Sequence, residues 1–369
     1  MKCPLCLHDK STLLYSSTET FTNKDSLEFK LELECCESCN FVFLSSAYSD
    51  KYADLINIVY KNFDKSYIFP FPNKNNENIQ AIEMISKYIK SNENILEIGS
   101  NRGDLLYLLK EKFHKVNILG IEPTENQKVY VPTIKNFFTK KIFSSKFDVI
   151  ILQHVLEHIT NPNNIVKDIY DILEDDAIVY IEVPSLEYSL NHCIEDFMLE
   201  HVSYFSKQTL ISLFSNFEVL EIEEEPFLRI IFKKSKIKQN ITKDKSLDLN
   251  KKFKYFNNNR QKLIHNIKDF IKIDNKKIVF FGTSFYFRKI YLDLSSTLLI
   301  ENAYFMDDNI KEEYEQNFNL KKIDTLTGNE VVILCSNNYA VQKKMLKKIN
   351  NINGLTIVMP WSNIIIVKD

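Results

Sequence analysis

The stretch Asn94-Ile-Leu-Glu-Ile-Gly-Ser-Asn-Arg-Gly-Asp104 governs how the rest of the chain is read. Ile95 to Ile98 is an apolar run of the kind found in parallel strands buried on both faces. Gly99 closes it, Gly103 follows four residues later, and Leu105, Leu106, Leu108 and Leu109 then recur at helical spacing. The chain holds only 6 glycines, so two of them in one strand-to-helix turn mark a backbone demand. Glycine accepts left-handed backbone angles and lets a ligand approach the main chain. A strand, a glycine turn and a helix start make a nucleotide-type pocket at the carboxyl edge of an open sheet.

The spacing is not G-x-G-x-x-G, which disfavours an NAD fingerprint. Two acids sharpen the reading. Glu97 lies inside the strand, just before the turn, where it can hold the ammonium end of a methionine moiety. The next strand, Asn117 to Ile121, ends at Glu122. A carboxylate there can accept hydrogen bonds from both hydroxyls of a ribose. E-x-G-x-x-x-G with an acid one strand later resembles the class I S-adenosylmethionine (SAM) methyltransferases. That resemblance implies that Glu97, Gly99, Gly103 and Glu122 hold SAM. Asn101 lies in the same turn, and Gln153 is placed to touch the adenosine or amino-acid end. The plain alternative is a generic α/β turn with a solvated Glu122.

Strands and helices alternate on either side of this stretch. Ile79, Ile82, Ile85, Tyr88 and Ile89 predict a helix over 79–90. Phe147 to His154 and Ala177 to Val183 read as buried strands, Asn164 to Leu173 and Gln208 to Phe214 as helices. Phe217 to Ile222 and Leu228 to Phe232 read as a closing hairpin. This pattern predicts a doubly wound sheet with an antiparallel end. A Lys-, Asn- and Ser-rich segment, 233–252, marks a boundary. Beyond it a helix of about 20 residues and a second α/β unit starting at Lys277 are expected, with strands Ala303 to Met306, Val331 to Leu334 and Leu355 to Met359. Gly282 stands alone there, so no dinucleotide site is indicated. The Tyr-rich segment 46–78 reads as a linker or lid, in which Tyr60 or Tyr67 could face a substrate.

At 369 residues the chain is long enough for two or three domains. Its 44% hydrophobic and 26% charged content is that of an ordinary water-soluble globular protein. A net charge of −2, without basic clustering, argues against nucleic-acid binding. No apolar run is long enough to span a bilayer and no signal-peptide core stands at the N-terminus, so neither membrane insertion nor export is expected. Seven cysteines, an odd number, then point to a reducing cytoplasmic setting.

Four of those cysteines form two C-x-x-C knuckles, Cys3/Cys6 and Cys36/Cys39, with 29 residues between them. Each knuckle places two thiolates on one tight turn, and two knuckles complete a tetrahedral zinc site. Four protein ligands leave no open position, so such a zinc is structural. Cys35 is the spare.

Histidine is scarce, at 7 residues, and three of them sit in two motifs. Gln153-His-Val-Leu-Glu-His-Ile159 follows one strand, and Leu199-Glu-His-Val-Ser-Tyr-Phe-Ser206 follows Glu182-Val-Pro184. Both lie after strand ends, where open α/β sheets bind ligands. A neutral imidazole there can take a proton. A structural role is the alternative for each, and is favoured for His154.

The order C-x-x-C, C-x-x-C, E-I-G-S-N-R-G, V-L-E-H-I, E-V-P, E-H-V-S-Y-F-S and a terminal α/β unit resembles the three-part sugar C-methyltransferases, typified by the 3-C-methyltransferases of nucleotide deoxysugars. The resemblance implies a zinc-binding domain with linker over 1–70, a class I methyltransferase sheet (Rossmann-like) over 71–235 and a Rossmann-like substrate domain over 250–369. It implies a nucleotide-activated keto-sugar as substrate. In the reaction it implies, a base removes the C3 proton beside a C4 ketone and the enolate attacks the methyl group of SAM. His201 takes the place of the base, Glu200 orients it or binds the sugar, and His158 contacts sugar or enolate. There are departures. Met198-Leu199 replace a Tyr-His, Arg102 replaces the Asp of an N-D-G turn, and the terminal unit lacks a glycine-rich loop. O-methylation of a sugar therefore stays open, as does a non-catalytic scaffold in glycan synthesis.

Overall fold

The computed structural model describes residues 1–22, 26–49, 51–54, 56, 76–124, 128–193, 197–237, 248–274, 276–282, 304–306, 325–336, 339–359 and 364–367. Tyr60, Tyr67 and the acids of 307–309 lie outside them. The chain divides into two compact units, one of residues 1–188 and 197–247, the other of 189–196 and 248–369.

The first unit is built on two sheets. In the smaller, β1 (Ser11–Thr22) and β2 (Ser26–Cys36) form a long antiparallel ribbon, β3 (Val42–Leu44) pairs with β2, and β9 (Ser203–Tyr204) pairs with β3. The seven-stranded sheet runs β10-β11-β8-β7-β4-β5-β6. It comprises β4 (Asn94–Ile98), β5 (Asn117–Ile121), β6 (Thr133–Ile134), β7 (Phe147–Gln153), β8 (Leu173–Pro184), β10 (Phe217–Glu223) and β11 (Phe227–Lys234). Strands β6, β5, β4, β7 and β8 are mutually parallel, while β11 and β10 run antiparallel at one edge. The doubly wound sheet with an antiparallel end expected from the alternation is therefore present.

The helices α1 (Asn76–Ile85), α2 (Asp104–Lys112), α3 (Pro162–Ile172) and α4 (Lys207–Leu213) pack on this sheet through apolar faces such as Leu105, Leu106 and Leu109 of α2. The first is shorter than its periodicity predicts. It ends at Ile85, and Tyr88 and Ile89 pack on the same core from the turn that follows. β8 begins four residues earlier than its apolar run, at the buried Leu173, and the exposed Glu174, Asp175 and Asp176 form an irregularity between Leu173 and Ala177 where the register against β7 shifts. Two apolar clusters flank the sheet, one joining β4, β7, β8 and β11 to α3 and α4, the other joining the opposite face to α1 and α2.

The second unit contains α5 (Leu249–Asp274), which buries Leu249, Phe253 and Phe256. Its sheet has the order β13-β12-β14-β15-β16. Strands β12 (Lys277–Phe281), β13 (Tyr304–Met306), β14 (Glu330–Leu334) and β15 (Thr356–Met359) are parallel, β16 (Ile364–Val367) is antiparallel, and α6 (Tyr339–Lys348) precedes β15.

Candidate active site

The glycine turn has the strained geometry its composition predicts. Gly99 and Gly103 have φ of 70° and 81°, and Asn101 between them has 51°. A side chain at Gly99 would strike Val155 at 2.4 Å, and one at Gly103 would strike Val131 at 2.3 Å. Both positions thus need glycine for space as well as for backbone angle. Gly103 is the N-cap of α2, and the N–H groups of Gly99 and Ser100 donate to the Ile121 carbonyl at the tip of β5. These bonds lock the turn against the next strand, with Glu122 alongside.

Glu97 is 4% exposed. The backbone N–H of Leu106 in the first turn of α2 donates to its carboxyl, but Oε2 has no hydrogen-bond partner among the described residues. Burial, then the nearby carboxylates of Asp104 and Glu122, hold its pKa well above the usual carboxylate range. A buried acid with a vacant acceptor oxygen, facing other acids, is a receptor for a cation. Glu122 differs from its sequence-based expectation in part. Its Oε2 accepts the Asn101 N–H at 3.0 Å, and its Oε1 accepts the N–H and hydroxyl of Thr124 at 3.0 and 2.7 Å. A carboxylate has about four lone-pair sites, so most are engaged by its own loop. Arg102, at the position of the family's Asp, is buried, pairs with Asp104 at 3.2 Å and stacks over Tyr130 at 5.1 Å.

The two histidine motifs come together. His158 ends a short 3-10 turn, Leu156–His158, after β7, and His201 lies just before β9. Their ring centroids are 5.0 Å apart at 64°. The Nδ1 of His158 bonds the Glu200 carbonyl at 2.8 Å. A carbonyl only accepts, so Nδ1 is the donor, and in the neutral ring Nε2 carries the lone pair. Glu200 and His201 are both buried. The Ser-Tyr-Phe-Ser part of this motif is architectural. Ser203 and Tyr204 form β9, Phe205 packs on Phe41 at 5.4 Å, and Ser206 caps α4 with a capping box.

Beside the pair is a network that sequence reasoning missed. Glu157 is buried within the same 3-10 turn, and its Oε1 lies 3.3 Å from Nδ1 of His154. Nε2 of His154 lies 3.2 Å from Glu182, which also meets Nε of the buried Arg229 at 3.0 Å and the hydroxyl of Tyr180. Burial disfavours a charge on His154, but bonds to the two carboxylates outweigh it and push its pKa up to about 10. Burial alone would raise the Glu182 pKa, but His154 and Arg229 bring it down to about 2. His154 has φ 54°, a left-handed angle uncommon outside glycine. Gln153 donates to Glu182 at 3.4 Å, which makes it a member of this network. The one sequence signal was the acid at the end of β8. Its partner Arg229 is brought opposite only by antiparallel pairing of β11 with β8.

Residues 73–222 match the family model described as Methyltransferase domain. The match supports reading this segment as the methyltransferase part of an enzyme. No curated protein matches it in sequence. Among solved structures it is similar to the Burkholderia thailandensis 1,6-didemethyltoxoflavin-N1-methyltransferase with bound 1,6-didemethyltoxoflavin and S-adenosylhomocysteine. The identity is 12%, over 54% of this chain and 98% of that one, with a TM-score of 0.39. A SAM-dependent methyltransferase from Archaeoglobus fulgidus is similar at 19% identity, over 43% and 94% of the two chains, TM-score 0.35. The pyocyanin biosynthetic protein PhzM is similar at 11% identity and TM-score 0.36, and the match spans 42% of this chain but only 54% of that one.

The matched segment contains the glycine turn and both histidine motifs. The turn fits SAM on its own features, the vacant oxygen of Glu97 and a cradle that any Cβ would fill. Four thiols gather at one end of the β1-β2 ribbon. Cys3 and Cys39 sulfurs are 3.7 Å apart and those of Cys6 and Cys36 are 3.5 Å apart, with no disulfide. A zinc tetrahedron with bonds of about 2.3 Å has edges of roughly 3.8 Å, so the set fits zinc. Cys3 is brought down to about 5 by the hydrogen bond from Cys39, while burial pushes Cys36 up to about 11 and the bond to Cys3 pushes Cys39 up. A divalent cation relieves that competition by stabilising all four thiolates. Cys35 is buried apart from the set, with its thiol on the Cys36 carbonyl.

Proposed function

We propose that this methyltransferase transfers the methyl group of SAM to carbon 3 of a nucleotide-activated keto-sugar. The observation that carries the reading is the pairing of His158 and His201 beside Glu200, after strand ends of the sheet that holds the Glu97 turn. SAM supplies an electrophilic methyl group on a sulfonium. The chain supplies the rest. His201 takes the C3 proton, and the electron pair of the broken C–H bond delocalises onto the neighbouring ketone oxygen as an enolate. His158 or Glu200 holds that oxygen or the adjacent sugar hydroxyls. The enolate carbon then bonds to the methyl group, the S–CH3 electron pair returns to sulfur, and the proton leaves His201 for solvent. Glu97 binds the amino end of the donor, and Glu122 its ribose.

The departure at Met198-Leu199 leaves O-methylation as the competing reading, since that reaction needs no enolate. Incubation with a nucleoside-diphospho-4-keto-6-deoxysugar in deuterated water, without SAM, distinguishes the two. Deuterium should enter C3 in the wild type and fail to enter with His201→Ala, while SAM affinity stays within a few-fold. Methyl transfer without any C3 exchange would overturn carbon as the acceptor.

A further inference from the structure

Glu157, His158 and His201 present three different side chains to one point. One donor atom from each lies within 4.8 Å of the other two. The Glu157 carboxylate is 2% exposed, and its Oε2 has no hydrogen-bond partner among the described residues. Its Oε1 is engaged by His154, which fixes the carboxylate plane and leaves Oε2 as the presented atom. His158 is set in the same way. Its Nδ1–H is spent on the Glu200 carbonyl, which leaves Nε2 as its ligand atom. A backbone carbonyl holding one ring N–H is the usual support of a histidine that ligates a metal through its other nitrogen. Two imidazole nitrogens and one carboxylate oxygen form a borderline donor set suited to divalent first-row ions. Bonds of about 2.0 to 2.2 Å place such donors roughly 3.4 Å apart around a tetrahedron. Side-chain rotations close the remaining gap.

We propose that Glu157, His158 and His201 bind a divalent transition cation of the zinc class, and that the bound cation silences proton transfer. The second half rests on the reading of His201 as the base. A lone pair given to a metal cannot take a proton, so the ion and the C3 proton compete for one nitrogen. This site is distinct from the four-cysteine site, whose donors are all thiols.

Cobalt(II) reports the two sites separately, because thiolate ligands add intense charge-transfer absorption and nitrogen and oxygen ligands give only weak visible bands. Full-length protein carrying one equivalent of zinc is titrated with cobalt(II). The expected result is a second equivalent bound with visible bands and no added thiolate absorption. That equivalent should weaken at least tenfold in both Glu157→Gln and His158→Gln. Added zinc should also suppress C3 deuterium exchange by the wild type in step with occupancy. No second equivalent in the wild type, or one that both variants retain unchanged, would overturn the site. Binding that leaves exchange undiminished would overturn the inhibition. Absence of exchange even without the second ion would instead count against His201 as the base, while the cobalt spectra still decide the site.

Discussion

At the scale of single residues, Glu97 has the clearest cost without a folding benefit. Its carboxyl is buried against Asp104 and Glu122, and all three repel a second negative charge. A raised folded-state pKa in an acid means that the folded protein holds its proton above the ordinary 4.5. Stability then falls as pH rises from there toward the raised value, because the unfolded chain ionises freely. A ligand ammonium reverses this by favouring the carboxylate. SAM binding should therefore release a proton, and affinity should rise with pH through the titration of Glu97. Calorimetry in two buffers of different ionisation enthalpy measures that release directly. Glu97→Gln should abolish it, weaken SAM by about tenfold or more, equivalent to roughly 1.4 kcal/mol, and leave thermal stability unchanged or higher. Retained affinity in this variant would remove Glu97 from the binding site.

Between elements, the same question of buried charge has a different answer. β8 and β11 place Glu182 opposite Arg229 in antiparallel register, and both side chains are almost wholly inaccessible. Removing one partner of a buried pair strands the other, so Arg229→Met should destabilise the domain by about 3 kcal/mol, read from urea unfolding. The pH dependence carries the sign of a depressed acid. With Glu182 brought down to about 2, its contribution is complete above 4.5 and is lost as pH falls through about 2. Wild type should lose unfolding free energy across that window, and Arg229→Met should lose less. A flat difference between the two would mean that the pair is not coupled in solution. This bond also shows the limit of what the chain reveals by itself. The glycine turn, the acid at the end of β5, the two cysteine knuckles and the order of strands and helices were legible, because each is a local pattern with one physical cause. The Glu182 and Arg229 contact was not, because 47 positions separate them and only the register of an edge hairpin joins them. His154 was legible as a residue but not as an ion-pair partner, since Glu157 reaches it only through the 3-10 turn and Glu182 comes from the end of β8. Glu122 was placed correctly by the motif, yet the loop bonds that occupy its oxygens depend on a backbone conformation no pattern encodes.

Across the first unit as a whole, the four-cysteine ribbon and the histidine pair are mechanically one object. β3 joins the ribbon to β9, pairing Val42 with Tyr204 and Phe43 with Ser203, two and three residues beyond His201. The Leu44 N–H donates to the Val202 carbonyl, and the Val202 N–H donates to the Glu157 carbonyl. The hydroxyl of Tyr52 adds a bond to the Leu199 carbonyl at 2.9 Å. A strand of two residues has little stability of its own, so β9 depends on the ribbon beside it. Where metal ligation holds a small domain together, the binding free energy is folding free energy. Metal removal by a chelator, or Cys39→Ser, should therefore lower hydrogen-exchange protection first across β1, β2 and β3, and with them at Ser203 and Tyr204. The central strands β4 and β7, buried in a separate sheet, should keep theirs. Because β9 starts two residues after His201, the same treatment should slow C3 exchange while SAM affinity, set by the Glu97 turn, holds. Full protection of β9 after the ribbon has opened would show that the loop bearing His201 is held by the main sheet alone.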